Sequence, residues 1–587
     1  MILKAYLLLW IWVAASTELL SSADAFRPAV IRVAWGVLLA GFISLLMFGT
    51  VRKRLMDAVK HLRQQETLQG SMLGIYAGFA LLTAYVAWSY SPSNWDSMTY
   101  HLPRAFHWLE NGHIGFYPTF TTRQNTMPPL AEYGIAHTMA LTGGDHFAQF
   151  IQWLAFLVCG VGVASITRLM RGSMAVSLLF MCTLPMALLQ ASSTQNDLVV
   201  SSFLLAFATF LMKAQRRDPL KNSCWAGMAL GLALLTKGTA YPAGAGLGIA
   251  ITLPWLLERN ISFPGFWRRV GHLTLLLLIA AACNVGHWSR NLEADGHPLS
   301  LESKFTRMET VSLQGGASNL LRNSALHFTL PSKRWNERLA TFIGGALGAA
   351  VHDPATTLEG TKFWLQFRVH EDVMGNGAHT LLLSAGLILF VIQSFRKGRE
   401  IHYAWGLFAG VSLYLFLIKW QPWATRLHTP WFILAIPPAA AGWTIWQQKP
   451  WFRILAGLLV LSGILICAKN ELRPLPLKDQ DQSRWTQMFR GRPGIRDDYK
   501  QVLRILEERQ ASEVYLNLND NDWEYPLLAY PFDHRVRVQA WNAVPTDTWV
   551  PFLINSVQTK RSFEGMIPLY QGSTLSLWQG DPPGSNR

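Results

Sequence analysis

Charge is scarce in this sequence: Asp and Glu number 36 against 51 Lys and Arg in 587 residues, and charged residues make up only 15%. A soluble chain of this length needs roughly a quarter of its residues charged, so a purely soluble fold is excluded. Half the residues are hydrophobic, with 25 Trp and 31 Phe, which points to a polytopic membrane protein. The net charge of +15 sits in short clusters between apolar runs, not in one stripe, and so does not indicate a nucleic-acid binder. The five cysteines (Cys159, Cys182, Cys224, Cys283, Cys467) lie in or beside apolar segments without CxxC spacing. That excludes a disulfide framework and a structural zinc site and leaves them as small packing residues. Walker GxxxxGK[ST] and strand-linked GxGxxG motifs are also missing, so nothing cradles a nucleotide. Histidines are frequent on one side (His101, His107, His113, His137, His146, His352, His370, His379) but show no HExxH or HxxxH spacing. They read as scattered interfacial residues; no cofactor is implied, and a divalent metal stays open.

Long apolar runs are plentiful. With roughly 20 residues needed per span, about 13 candidate helices can be counted. They cover 2–20, 30–50, 71–90, 147–167, 173–192, 197–213, 224–239, 241–257, 270–289, 378–394, 401–418, 427–446 and 453–469. The basic loops Arg52 to Arg63, Arg168 to Arg171, Lys213 to Lys221, Arg259 to Arg269, Arg396 to Arg399 and Lys449 to Arg453 then fall on one side, which the positive-inside rule makes cytoplasmic. The segment 91–146, the loop 291–377 and the tail after Lys469 face outward. The first helix ends in Ala23-Asp24-Ala25, which resembles a signal-peptidase site; an uncleaved helix is the preferred reading. In the tail, "DDYKQVLRILEERQ" has helical periodicity, and "SEVYLNL", "RVRVQAW" and "STLSLWQ" alternate as strands. The predicted fold class is therefore mainly α: N-terminal helices over 1–70, a membrane core over 71–469, and a small outer α/β domain over 470–587.

Chemistry-bearing residues gather on the outer side. Asp96, in "SPSNWDSMTYHLPR", sits where the chain leaves the third helix, ahead of a short amphipathic helix expected on the membrane surface. Partial desolvation raises the pKa of such a carboxyl, while His101 or Arg104 favours the ionised form. A carboxylate so poised suits a general base; the alternative is an N-cap. Asp197, at the mouth of the sixth helix, either orients the acceptor or the base or serves as an N-cap. Glu132, after "MPPLA", is a further candidate, against a solvated loop acid. Lys237, in "LALLTKG", lies near the outer end of an apolar helix, where an ionisable group at the bilayer centre costs ~2.5–3.5 kcal/mol and less toward the ends. It either meets an anion or snorkels to the interface. Arg290 and Arg426 lie on that same side and offer planar forks suited to phosphate oxygens; for Arg426 the alternative is a headgroup contact.

The motifs "WDSMTYHLPR", "MPPLAEYG", "STQNDLV", "LALLTKG", "WSRNLEADGHPL" and "ATRLHTPWFILAIP" occur, over roughly residues 70 to 445, in the order seen in the C-type superfamily of membrane glycosyltransferases. The chain resembles the bacterial branch that includes protein O-mannosyltransferases and the aminoarabinose lipid A transferase. The resemblance implies an outer-facing site, a polyprenyl-phosphate sugar donor, Asp96 as base, Asp197 as a second acidic position, and phosphate binding by Lys237 and above all Arg290. Two departures, Ser97 where the family has a second acid and Met127 in place of the lysine of "KPPL", leave the donor class open. The expected reaction is inverting transfer to a hydroxyl of a glycan, lipid or protein at a bacterial inner membrane. A membrane carrier or lipid flippase is the rival class, although repeated halves are not evident. A non-catalytic scaffold is a third.

Overall fold

The computed structural model describes residues 1–47, 67–258, 261–300, 306–394, 400–477, 482–541, 549–559, 563 and 566–580. The basic loops 52–63 and 396–399 lie outside the described residues, as does Arg259 of a third. Each of the thirteen apolar segments overlaps a helix. By length and composition six described helices can cross a membrane: Ile2–Ser22, Gly70–Ser89, Asp145–Leu169, Asp197–Ala214, Gly377–Ser394 and Pro450–Ala468. The pair Phe263–Ala282 and Val285–Asp295, bent by 59°, would make a seventh. Several other segments give shorter helices. The fifth breaks into Met174–Thr183 and Pro185–Gln190, because a proline cannot continue the hydrogen-bond ladder.

Large apolar side chains such as Val33, Leu81, Leu278, Leu381, Phe408 and Leu458 remain exposed. In water such a belt would be a liability; on a helix bundle it is the face that meets hydrocarbon. The helix Asp197–Ala214 is buried almost throughout and packs between Pro219–Thr236, Phe150–Leu169, Ala240–Leu256 and Thr429–Trp443. That central position gives both of its ends fixed surroundings. At one end the basic turns meet: Arg216 donates to Leu169 O (3.1 Å) and Glu400 (2.7 Å), and Ser173 N donates to Thr444 Oγ1 (2.9 Å). Asp197 and Lys237 lie at the other.

The segment 91–146 folds as the helices Leu102–Asn111, Arg123–Thr126 and Leu130–Thr142. Leu102–Asn111 ends at Gly112, whose φ of +82° suits glycine and whose added Cβ would meet Asp24 O at 2.8 Å. Its apolar side (Leu102, Ala105, Trp108) packs on Leu130–Thr142, so protein covers the face expected to rest on the membrane. In the loop 291–377 the basic Arg322 is fully buried and donates to Asn319 Oδ1, Thr356 Oγ1 and Thr357 Oγ1.

The tail carries the helix Arg496–Glu508 and five strands: β1 (Glu513–Asn517), β2 (Arg537–Ala540), β3 (Phe552–Ser556), β4 (Met566–Gln571) and β5 (Leu575–Gly580). Their order is β2-β1-β3-β5-β4, with β1 parallel to β2 and β3, and β5 antiparallel to β3 and β4. Strand β3 escaped the sequence reading because it is buried on both faces and lacks alternation. The hydrophobic cluster runs without a break from the bundle into this domain through Trp485, Phe489 and Trp523.

Candidate active site

Asp96 is 6% exposed, at the head of a widened turn, Ser97–His101. It forms no capping bond. Asn94 does that instead, its Oδ1 accepting from Ser97 N at 2.7 Å. Freed from the backbone, Asp96 Oδ2 accepts from Tyr100 OH at 3.0 Å and lies 2.6 Å from Arg426 Nη1. Arg426, in the turn Ala424–Leu427, also donates to Asp372 Oδ1 at 3.0 Å, and Asp372 accepts from Gln195 Nε2 at 3.2 Å. Burial alone would raise the pKa of Asp96, as the sequence suggests; the guanidinium of Arg426, with help from His101 and Arg123, outweighs it and holds the carboxyl well below its ordinary range.

Asp197 repeats this logic. The first amides of its helix, Leu198 N and Val199 N, donate to Gln152 Oε1 of a neighbouring helix (2.9 and 3.2 Å), and Asn196 makes no capping bond. The fully buried Asp197 carboxylate thus remains available: Oδ1 accepts from Lys237 Nζ at 2.5 Å and Oδ2 from Gln190 Nε2 at 3.2 Å. Lys237 is where the helix Pro219–Thr236 stops, its backbone turning extended, so its side chain meets Asp197 without snorkelling. Asp96 and Arg426 both lie within electrostatic reach of it. Asp96, Asp197, Lys237 and Arg426 therefore belong together, joined by Asp372.

The other four candidates form a second cluster. Glu132 is not a solvated loop acid: it is fully buried in Leu130–Thr142, where His101 Nδ1 lies 2.6 Å from its Oε1. Burial opposes its ionisation, but His101 and Arg104 hold its pKa below the ordinary value. Arg104 is buried over the Trp108 ring at 4.6 Å. Arg290, expected beside Lys237, instead gives both its Nη atoms to Glu18 at 2.8 Å each, and Nη2 also reaches Tyr133 OH at 2.9 Å. Its fork therefore holds a carboxylate supplied by the first helix. His101, His137 and His379 are buried, not interfacial.

Among the described residues no three His, Cys, Asp or Glu side chains converge as a metal-ligand set. A divalent ion at the acids would have to displace Arg426 and Lys237, so these residues do not fit one. The five cysteines are free.

The tail clamps the outer loop. His107 Nε2 is 2.6 Å from Glu524 Oε1, and Gln124 Nε2 donates both to Glu524 Oε2 (2.6 Å) and to Thr99 O (2.9 Å). Trp95, next to Asp96, lies between Trp523 (centroids 6.1 Å apart) and Arg492 (4.9 Å). Arg484 pairs with Asp145 at 2.7 Å. Beneath, Glu371 Oε1 accepts from Asn94 Nδ2 (2.7 Å) and Ser193 Oγ (2.6 Å), and the carboxylate also pairs with the buried Arg473. Sequence reasoning missed Glu371 and Asp372, which stand in a loop without periodicity or resemblance, and also Glu18, within the first apolar segment, and Gln195, within the motif "STQNDLV". Detectable signals attached to Glu18, a charge in an apolar helix, and to Gln152, an amide in another.

Residues 126–288 match the family model described as dolichyl-phosphate-mannose-protein mannosyltransferase. This chain resembles the C-type membrane glycosyltransferases. The matched segment contains Glu132, Asp197 and Lys237, and excludes Asp96, Arg290 and Arg426. Among solved structures, ArnT from Cupriavidus metallidurans bound to undecaprenyl phosphate is similar at 14% identity and a TM-score of 0.49, covering 87% of this chain and 98% of that one. The Archaeoglobus fulgidus oligosaccharyltransferase in the apo form is similar at 14% identity and a TM-score of 0.41, covering 83% and 70%. No curated protein matches the sequence. With both TM-scores under 0.5, the chemistry of this chain rests on its own residues.

Proposed function

We propose that this C-type relative transfers a sugar from a polyprenyl-phosphate donor to an acceptor hydroxyl at the Asp96 cluster, on the face of the membrane opposite its basic turns. That face is the periplasmic or extracellular side of a bacterial inner membrane. The observation that carries this reading is the exchange of roles around Asp96: Asn94 caps the turn, leaving a buried, ionised carboxylate against a guanidinium shared with Asp372.

Arg426 and Lys237 supply the positive charge for the donor phosphate, in preference to Arg290, which Glu18 and Tyr133 already occupy. As a phosphate oxygen draws Arg426 toward it, Asp96 loses its counter-ion and burial raises its basicity. The acceptor oxygen then attacks the anomeric carbon and its proton passes to Asp96 Oδ2. The bond from that carbon to the phosphate oxygen breaks, and its electron pair leaves with the lipid phosphate. Preorganised cations stabilise this growing charge. A single displacement inverts the anomeric centre. Asp197 keeps Lys237 in place, and the clamp by Trp523 and Glu524 fixes the backbone that carries Asp96.

The test is transfer from a radiolabelled polyprenyl-phosphate sugar to candidate acceptors by purified protein, wild type against Asp96→Asn. Transfer should be lost in the variant; equal transfer removes Asp96 as base. Movement of the lipid sugar across vesicles without transfer would establish the carrier instead.

A further inference from the structure

The acids and cations at the Lys237 end of the bundle are paired; at the opposite end only some of the cations are. There the turn after Asp197–Ala214, the start of Pro219–Thr236, the end of Ala240–Leu256 and the start of Phe263–Ala282 enclose a cavity of about 840 Å³. Arg216, Arg217, Lys221, Arg268, Arg269 and His272 line it, with Asp218 the acid among the lining residues. Two of these cations are committed: Arg216 to Glu400 (2.7 Å), and Arg269 to Glu258 (2.8 Å) and the Trp255 carbonyl. Among the described residues no side-chain acceptor is recorded for Arg217, Lys221 or Arg268. His272 Nδ1 is shielded from solvent without a hydrogen-bond partner.

Two helices also open on this cavity by their N-termini, at Pro219–Leu220 and at Ser262–Gly265, where the helix dipole favours an anion although the Gly265 amide is already taken by Ser262 Oγ. Next toward the Lys237 end, the same four helices line an apolar cavity of about 310 Å³, with Phe207, Leu211, Leu230, Gly248, Leu273 and Leu276 among its walls. The two are neighbours: His272 lines the first and Leu273 the second. Around the mouth, Leu257, Phe263 and Trp267 are 65%, 76% and 56% exposed, the aromatic and apolar rim of a membrane interface.

We propose that this paired cavity is a binding site for an anionic phospholipid of the leaflet on the basic side, its phosphate among Arg217, Lys221 and Arg268 and one chain in the apolar cavity. The charge selects the headgroup, and the adjoining apolar space separates a lipid from a soluble phosphate. A bound lipid would tie together four helices whose far ends carry Asp197 and Lys237. The inference rests on the chain being a membrane protein and is independent of sugar transfer.

The full-length protein in nanodiscs or mild detergent would be titrated with phosphatidylglycerol, phosphatidylcholine and inorganic phosphate, with binding read by native mass spectrometry and thermal shift. Wild type should bind phosphatidylglycerol in preference to phosphatidylcholine, less tightly as salt rises. The double variant Arg217→Ala/Arg268→Ala should lose about tenfold in affinity or more. Gly248→Leu places a side chain in the apolar cavity, where an added Cβ meets only Phe207 Cζ at 3.6 Å; it should weaken lipid binding and leave inorganic phosphate binding unchanged. Equal phosphatidylglycerol binding by wild type and the double variant overturns the proposal, as does equal binding of the two lipids. If inorganic phosphate binds as tightly as the lipid and Gly248→Leu changes nothing, the lipid assignment fails and a phosphate site remains. Because the readout is binding, its failure leaves the transfer reading untouched, and loss of transfer in Asp96→Asn leaves the lipid site untouched.

Discussion

The two ends of Asp197–Ala214 and its neighbours use similar charged residues in opposite ways. At the Lys237 end, Asp96, Asp197, Asp372, Arg426 and Lys237 are buried or nearly so and every acid has a cation within 3.0 Å. At the other end Arg216, Arg217, Lys221 and Arg268 are exposed, and the cations lining the cavity outnumber its acids. The difference is one of solvation. A charge withdrawn from water needs a partner of opposite sign, whereas an exposed cation can wait for a mobile one. Paired charges held in low dielectric are prepared for chemistry, and unpaired charges at an interface are prepared for binding.

The largest test of this contrast is Asp96→Asn, for which transfer should fall by about 10²–10⁴-fold while Arg426 keeps Asp372 as partner. Next is Glu371→Gln, which leaves the buried Arg473 without its carboxylate partner and should destabilise the protein by about 3 kcal/mol, read by denaturation in detergent. Lys237→Met should behave similarly by stranding Asp197, and adding Asp197→Leu should return part of the lost stability. Survival of Lys237→Met without loss of stability would break the comparison.

Arg426→Gln makes a prediction about pH. Since Arg426 holds the Asp96 pKa low, the carboxylate in wild type is ionised at neutral pH. Its contribution to stability is lost only as pH falls well below the ordinary carboxylate range. Without the guanidinium, burial is less opposed and the pKa rises. The acid limb of kcat/KM should therefore move to higher pH, and an unmoved limb would show that another group sets it. The smallest effect belongs to the basic end: Arg216→Ala removes an ion pair whose arginine is 39% exposed, so stability should change by no more than about 0.5 kcal/mol and transfer should not change.

Much of this was legible beforehand. Apolar runs located the helices because a span needs continuous hydrophobicity, and the order of motifs drew attention to Asp96, Asp197, Lys237 and Arg426, which the structure brings to one place. The partition of the remaining candidates was not legible. Arg290 and Glu132 each looked exposed in a loop or at a helix end, yet their environments depend on Glu18 and His101, 272 and 31 residues away. Nor could periodicity show whether Asp96 or Asp197 was a cap, because the competing acceptors, Asn94 and Gln152, are decided by where each turn points its amides.

Composition and hydropathy by themselves determined that this is a membrane protein, since transfer of apolar area from water is a sum over residues and barely depends on their arrangement. Tertiary structure alone decided which acid meets which cation, because the strength of a buried ion pair depends on ångström-scale distance and on exclusion of water, quantities that a linear sequence does not carry.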